Sequence, residues 1–257
     1  MDLNLRGRSA LITGGSRGIG YGIARSLAAE GCHLHLASRS AADLEAARKT
    51  LEAEFGVKVT CHAGDLSDGA KAAALARSCA DVDFLINNAG AIPHGPLSAL
   101  DDATLRTAWD LKLFGFLSIT RELYAAMCQR KRGVIVNIIG VAGERPVASY
   151  IGGSIANAGL MAMSKALGAE SPKFGVRVIG INPGSTETDR QIVRWRAKAE
   201  KELGSADRWR ELTTGFPFGR LATVAEVADT VAFLCSERSG YTTGTVITID
   251  GGATAQR

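Results

Sequence analysis

The chain has 257 residues, 46% of them hydrophobic and 22% charged, which is enough to bury a full core and small enough to form one α/β domain. Its net charge of +4 comes from scattered basic residues, and the one denser run, 129–133, reads as a solvated helix end, so nucleic-acid binding is not expected. The five cysteines lack CxxC spacing and histidine partners at metal-ligand spacing, and no apolar run reaches the roughly 18 residues of a membrane span; neither a disulfide framework, a metal site nor a membrane association is expected, and a cytoplasmic protein is.

Along the chain, short apolar runs alternate with amphipathic helical patterns. "SALIT" (9–13) precedes "GIGYGIARSLAAEG", "HLHLA" (33–37) precedes "AADLEAARKTLEAEFG", and "VKVTCHA" (57–63) precedes "GAKAAALARSCA". There follow "DFLINNAG" (83–90), a long helical pattern over about 101–131, "GVIVNII" (133–139), and a helix within "ASYIGGSIANAGLMAMSKALGAE" (148–170). The chain closes with "VRVIGINPG" (176–184), a polar helical stretch over about 189–213, the helix "VAEVADTVAFLCS", and "TVITID" (245–250). Strands joined through helices of this length require right-handed crossovers and a parallel sheet covered on both faces. The expectation is a doubly wound, Rossmann-like α/β fold with a seven-stranded parallel sheet and ligands at the carboxyl ends of the strands.

"TGGSRGIG" (13–20) falls where the first strand turns into the first helix. Gly14 and Gly18 permit a tight turn and the close approach of a pyrophosphate, which meets unpaired N–H groups at the helix start. The second strand ends in Ala37, Ser38 and Arg39, without the acidic residue that would hold a ribose 2′-hydroxyl, and Arg17 lies in the glycine loop. Two guanidinium groups and a hydroxyl suit a 2′-phosphate, so NADP(H) is read over NAD(H).

Together with "GDL" (64–66), "NNAG" (87–90), "NPGSTET" (182–188), "FGRLATVAEVAD" (218–229) and "TTGTVITIDGG" (242–252), this loop resembles the short-chain dehydrogenase/reductase family in order and spacing, over essentially the whole chain. The resemblance implies a single dinucleotide-binding domain over 1–257 with a substrate lid at about 189–215, a small-molecule substrate, and a homo-oligomer, tetramer or dimer. It implies that Gly14, Ser16, Arg17, Gly18, Ile19 and Gly20 cradle the cofactor. Asp65 and Leu66 would flank the adenine, Asn87, Ala89 and Gly90 would line the cofactor floor, and Pro183, Gly184 and Thr188 would hold the nicotinamide end.

The family's chemistry is hydride transfer to or from a carbonyl carbon, with a tyrosine moving the proton, a lysine four residues later, a serine and an asparagine. In this chain the tyrosine position falls on Gly153, the lysine position on Asn157, the serine position on Gly140 and the asparagine position on Lys112. Tyr150, seven residues before Asn157, would share one helix face with it, a spacing that resembles the enoyl-ACP reductase branch of the family. The pair Lys112 and Asn157 also reads as an exchange of the family's asparagine and lysine. A relay follows in which Tyr150 carries the proton, the Lys112 ammonium lowers its pKa and binds ribose hydroxyls, and Asn157 completes the network.

Simpler readings stand beside that one. Tyr150 as a pocket wall, Asn157 as a partner for nearby backbone, and Lys112 as a solvated helix lysine are all compatible with the sequence. Gly140, Gly152 and Gly153 either widen the pocket or mark an inactive site. His94, Glu144 and Arg145 are further candidates on the substrate side, with Trp195 and Trp209 as lid residues. Three functions fit: an NADP(H)-dependent oxidoreductase acting on a carbonyl, an alcohol or an activated enoyl group; an inactive NADP(H)-binding pseudoenzyme; and a structural subunit whose helices at 104–131 and 150–170 serve an interface. The first is favoured, because hydride transfer needs only cofactor and substrate held in line, and the nicotinamide-side residues are intact.

Overall fold

Seven strands form one all-parallel sheet in a computed structural model of the chain that describes residues 2–256. They are β1 (Ser9–Thr13), β2 (His33–Ser38), β3 (Val59–Ala63), β4 (Phe84–Asn87), β5 (Gly133–Ile138), β6 (Val176–Pro183) and β7 (Val246–Ile249), in the order β3-β2-β1-β4-β5-β6-β7. The expected seven-stranded doubly wound fold is present. Strand bounds agree to within two residues except at 83–90, where pairing stops at Asn87 because Asn88 turns to the glycine loop.

The central strands are apolar nearly throughout because helices cover both faces. Alternation along each strand sorts the side chains into two layers. Ile12, Leu34, Leu36, Ile86, Val136 and Ile179 pack under α1 (Gly18–Ala29), α2 (Ala41–Phe55) and α8 (Val224–Cys235). Leu11, Leu85, Ile135 and Val178 pack under α3 (Gly69–Ser78) and α5 (Gly115–Gln129). Capping is regular: Thr223 and Glu226 form a reciprocal box at the start of α8, and Asp68 accepts two N–H groups at the start of α3. Among the described residues no helix is long and apolar enough to cross a membrane.

Three departures from the sequence reading bear on the site. The helix expected over 101–131 is α4 (Asp102–Trp109), a single π turn over Asp110–Phe114, and then α5. A π turn carries one residue more than its α counterpart, and this one leaves Lys112 buried, at 8% exposure, which corrects its reading as a solvated lysine. The helix expected within 148–170 is α6 (Ile151–Glu170), and Tyr150 caps it with non-helical φ −139 and ψ 40. Tyr150 thus stands at the start of the helix and not within it, its carbonyl accepting the first intrahelical bond from the Ser154 N–H at 2.9 Å. The polar stretch 189–213 is α7 (Asp189–Leu203), a left-handed Gly204 and a 3-10 turn (Ala206–Thr213). There Trp209 is buried with Ala199 and Leu221, and Trp195 packs edge-on to Phe216, so both tryptophans hold this segment together.

Candidate active site

The chain leaves β1 toward β2 on one side and β4 toward β5 on the other, which opens a crevice at the carboxyl ends of these two neighbours. Gly14 and Gly18 have φ of +66 and +59, a region that other residues enter with difficulty, and a Cβ at Gly20 would stand 2.2 Å from the Gly14 carbonyl oxygen. Arg17, exposed at the N-cap of α1, makes no side-chain cap, so the first N–H groups of α1 stay open to an anion. Thr13 latches this loop to β4: its hydroxyl accepts from the N–H groups of Asn88 (2.9 Å) and Ala89 (3.1 Å). Asn88 returns its amide to the carbonyls of Thr13 (3.1 Å) and Gly14 (3.3 Å).

Asn87, expected on the cofactor floor, is fully buried beneath it. Its amide donates to Thr120 and to Asn137, both at 2.9 Å, and Asn137 continues to Ser164 on α6. Asn88 is the polar side chain at the crevice, and its position in "NNAG" was the available signal.

At the adenosine end a cavity of about 440 Å³ is lined by Arg39, Asp65, Ser67, Pro93 and Leu111, among others. Asp65 accepts from the N–H (3.0 Å) and hydroxyl (2.8 Å) of Ser67, which hold its carboxyl below the usual range, with Arg39 and Lys71 adding to the effect. Leu66 is buried below, and Ser38 donates to the Ser40 carbonyl at 3.4 Å.

At the other end a cavity of about 450 Å³ gathers Ile19, Gly90, Gly184 and Thr188 with Lys112 and Tyr150. Pro183 lies buried at the end of β6, just before Gly184. The Lys112 ammonium donates to the Ile138 carbonyl at 2.7 Å and lies 4.7 Å from the Phe116 ring centre. It packs against Gly90, where a Cβ would come within 2.6 Å of its Cδ. Burial lowers the Lys112 pKa to about 7. Asn157 is buried behind Gly140, outside the cavity lining; its Nδ2 donates to the Gly140 carbonyl at 3.3 Å, and its Oδ1 has no partner among the described residues.

Tyr150 occupies a telling place. A Cβ built on Gly153 would lie 1.9 Å from its Cε1 and 2.2 Å from its Cζ, so the phenol ring fills the space in which a side chain at 153 would begin. The ring also packs against the His94 imidazole, 4.4 Å between centres. Burial raises the phenol above its ordinary pKa and Arg190 pulls it the other way; Lys112 is not among the groups that act on it, so the expected lowering by that cation is absent.

The remaining candidates separate. Glu144 accepts from Thr248 (2.6 Å) and Asn182 (3.2 Å), and Arg145 donates to the Ala253 carbonyl (3.0 Å), which turns both toward the end of the sheet. His94 lines the cavity, accepts from Arg194 at 3.0 Å, and is held below the ordinary imidazole pKa by burial, Arg194 and Arg190. The sequence reading missed Arg190 and Arg194, four residues apart on α7 just after the Thr188 cap; that i, i+4 spacing after the nicotinamide motif was the signal. Outside the crevice, His35, His62 and Cys79 converge in space although their sequence spacing is not that of metal ligands.

Residues 14–254 match a family described as "Enoyl-(Acyl carrier protein) reductase". The chain is 30% identical over 254 residues to the 2,3-dihydro-2,3-dihydroxybenzoate dehydrogenase of Bacillus subtilis (strain 168), covering 97% of each chain. It is 32% identical over 254 residues to the galactitol 2-dehydrogenase (L-tagatose-forming) of Cereibacter sphaeroides, covering 97% of this chain and 96% of that one. Its fold superposes on the crystal structure of L-sorbose reductase from Gluconobacter frateurii, complexed with NADPH and L-sorbose, with a TM-score of 0.94, 30% identity and full coverage of both chains.

Proposed function

This chain belongs to the short-chain dehydrogenase/reductase family, and on that premise we propose that it is an NADP(H)-dependent carbonyl reductase with a relocated proton donor. One observation carries the proposal: the Tyr150 ring stands in the volume vacated at Gly153 and opens on the same cavity as the buried amine of Lys112.

The crevice fits the cofactor. Gly14 and Gly18 take left-handed turns, a Cβ at Gly20 would collide with the Gly14 carbonyl, open N–H groups lie at the start of α1, and Arg17 and Arg39, which form no ion pair among the described residues, suit a 2′-phosphate. When bound, NADPH supplies the hydride. Thr188, Gly184 and Ile19 then wall the nicotinamide end, and the carbonyl oxygen of the substrate sits against Tyr150.

Oxygen gains negative charge as the carbonyl carbon is reduced, and the Tyr150 O–H donates to it. A phenol raised above its usual pKa of about 10 remains protonated at neutral pH and is still far more acidic than an alcohol, so the proton moves downhill. Lys112, titrating near neutrality, holds a replacement proton on Nζ and bonds cofactor hydroxyls once it releases the Ile138 carbonyl. Enoyl chemistry is the weaker reading, because Asn157, which would stand where the enoyl branch has its lysine, is bonded to the Gly140 carbonyl outside the cavity that Tyr150 lines.

Arg190 and Arg194 at the cavity mouth form no ion pair among the described residues, so the preferred ketone carries an anionic group within their reach. The test is NADPH consumption by the purified protein against a panel of neutral ketones, keto acids and enoyl thioesters. Turnover of a ketone, fastest for the acidic ones, is expected. NADPH binding without turnover of any member would replace this reading with the pseudoenzyme.

A further inference from the structure

At the edge of the sheet remote from the nicotinamide end, three side chains of metal-ligand type come from three different elements. His35 is in β2, His62 in β3, and Cys79 caps the end of α3. Leu34 and Leu36 enter the core under α1 and α2, so alternation turns His35 to the α3 face, and the parallel register, with Ala37 opposite His62, sets the two imidazoles diagonally. The His35 Nδ1 lies 3.0 Å from the His62 Nε2, and the Cys79 Sγ lies 3.5 Å from the former and 3.7 Å from the latter. Cys79 is buried and the two histidines are partly exposed.

Hydrogen bonding within the cluster joins only the two imidazoles, and the Cys79 thiol has the Ser78 hydroxyl, at 3.8 Å, as its other neighbour. Between two facing neutral nitrogens there is one proton and one lone pair, and the pair they form uses both. The Cys79 thiol then has no nitrogen lone pair to donate to. A cation at the centre removes the conflict, since both nitrogens present lone pairs and the sulfur acts as a thiolate.

Distances fit one metal geometry. Zinc arms of about 2.0–2.1 Å to nitrogen and about 2.3 Å to sulfur, at tetrahedral angles, require N···N near 3.3 Å and N···S near 3.6 Å. The observed N···S separations straddle that value, and the two nitrogens need part by only a few tenths of an ångström. Two imidazoles and one thiolate form a borderline-soft set, with a fourth position for water.

We propose that His35, His62 and Cys79 form a zinc(II) site that clasps β2, β3 and the end of α3. On binding, the Cys79 thiol gives its proton to solvent and the sulfur pair is donated to the metal; no oxidation takes place. The clasp is independent of hydride transfer, and it secures the edge strand three residues before Asp65.

The test uses the full-length protein, stripped with a chelator and titrated with cobalt(II) and then zinc(II). One equivalent of cobalt is expected to give tetrahedral d–d bands with thiolate-to-metal charge transfer, zinc to displace it, and zinc to raise the melting temperature. Cys79→Ser should abolish the charge-transfer band, and both Cys79→Ser and His62→Asn should weaken zinc binding by about 100-fold or more. Circular dichroism and NADPH binding report the fold of each variant, and Cys79→Ala replaces any that fails to fold. Absence of a thiolate band in the wild type, or zinc affinity unchanged in the folded variants, overturns the proposal.

Discussion

Around the glycine loop the crevice is shaped mainly by backbone: open N–H groups on α1, left-handed turns at Gly14 and Gly18, and a Thr13 hydroxyl that ties two strand ends together. Around Gly153 it is shaped by side chains that reach their places from other positions, Tyr150 from the N-cap and Lys112 from a π turn. A site made from backbone constrains residue type at fixed positions, since only glycine adopts those angles or allows that approach. A site made from side-chain tips constrains only where the tips arrive, and several routes through the chain can deliver the same group.

The sharpest way to break that contrast is Lys112→Met, which keeps the packing against Phe116 and Gly90 and removes the amine. Turnover is expected to fall about 100- to 1,000-fold. Stability moves the opposite way. The folded pKa is about 7 against 10.5 for the ordinary group, so the unfolded chain binds more protons between these values and wild-type stability rises with pH across that window. Lys112→Met should lose that slope and, at pH 7, gain on the order of 1–3 kcal/mol, read by thermal melts across pH. A variant that melts lower and turns over normally would make Lys112 a packing residue.

Tyr150→Phe should lower kcat about 10- to 100-fold and leave NADPH affinity within a few-fold. Unchanged kcat would remove the phenol from the reaction. Gly153→Ala sharpens the same point, because its methyl collides with the Tyr150 ring and must displace it. A fall in kcat approaching that of Tyr150→Phe is expected, with no further loss when the two are combined. The smallest effect belongs to the other end of the crevice: Arg39→Ala should reduce the preference for NADPH over NADH about 10-fold, seen in the ratio of their kcat/KM values.

The seven-stranded parallel sheet and the glycine loop were legible in the residues because short apolar runs between helical patterns, and turn glycines, are local signals. Asn87 and Asn88 could not be told apart, since adjacent residues in an extended segment point to opposite faces and the motif alone does not say which face meets the crevice. Tyr150 was expected within the helix and stands at its N-cap, because helix boundaries are set by local backbone angles that an apolar pattern does not mark. The burial of Lys112 was hidden by a π turn that no periodicity reveals. His35, His62 and Cys79 escaped because spacing rules describe ligands within one loop or helix, whereas these are brought together by strand register and a helix end.

The π turn at Asp110–Phe114 also sets the phase between α4 and α5. One residue more than an α turn amounts to a rotation of about 100° between the helix before it and the helix after it. The face of α4 that carries Leu105 and Ala108 can thus be indexed against the substrate side while α5 keeps its own seat beneath β4 and β5. A one-residue insertion or deletion there re-aims an entire wall of the pocket and leaves the sheet untouched, so this turn is where a chain of this kind can acquire a new specificity in a single step.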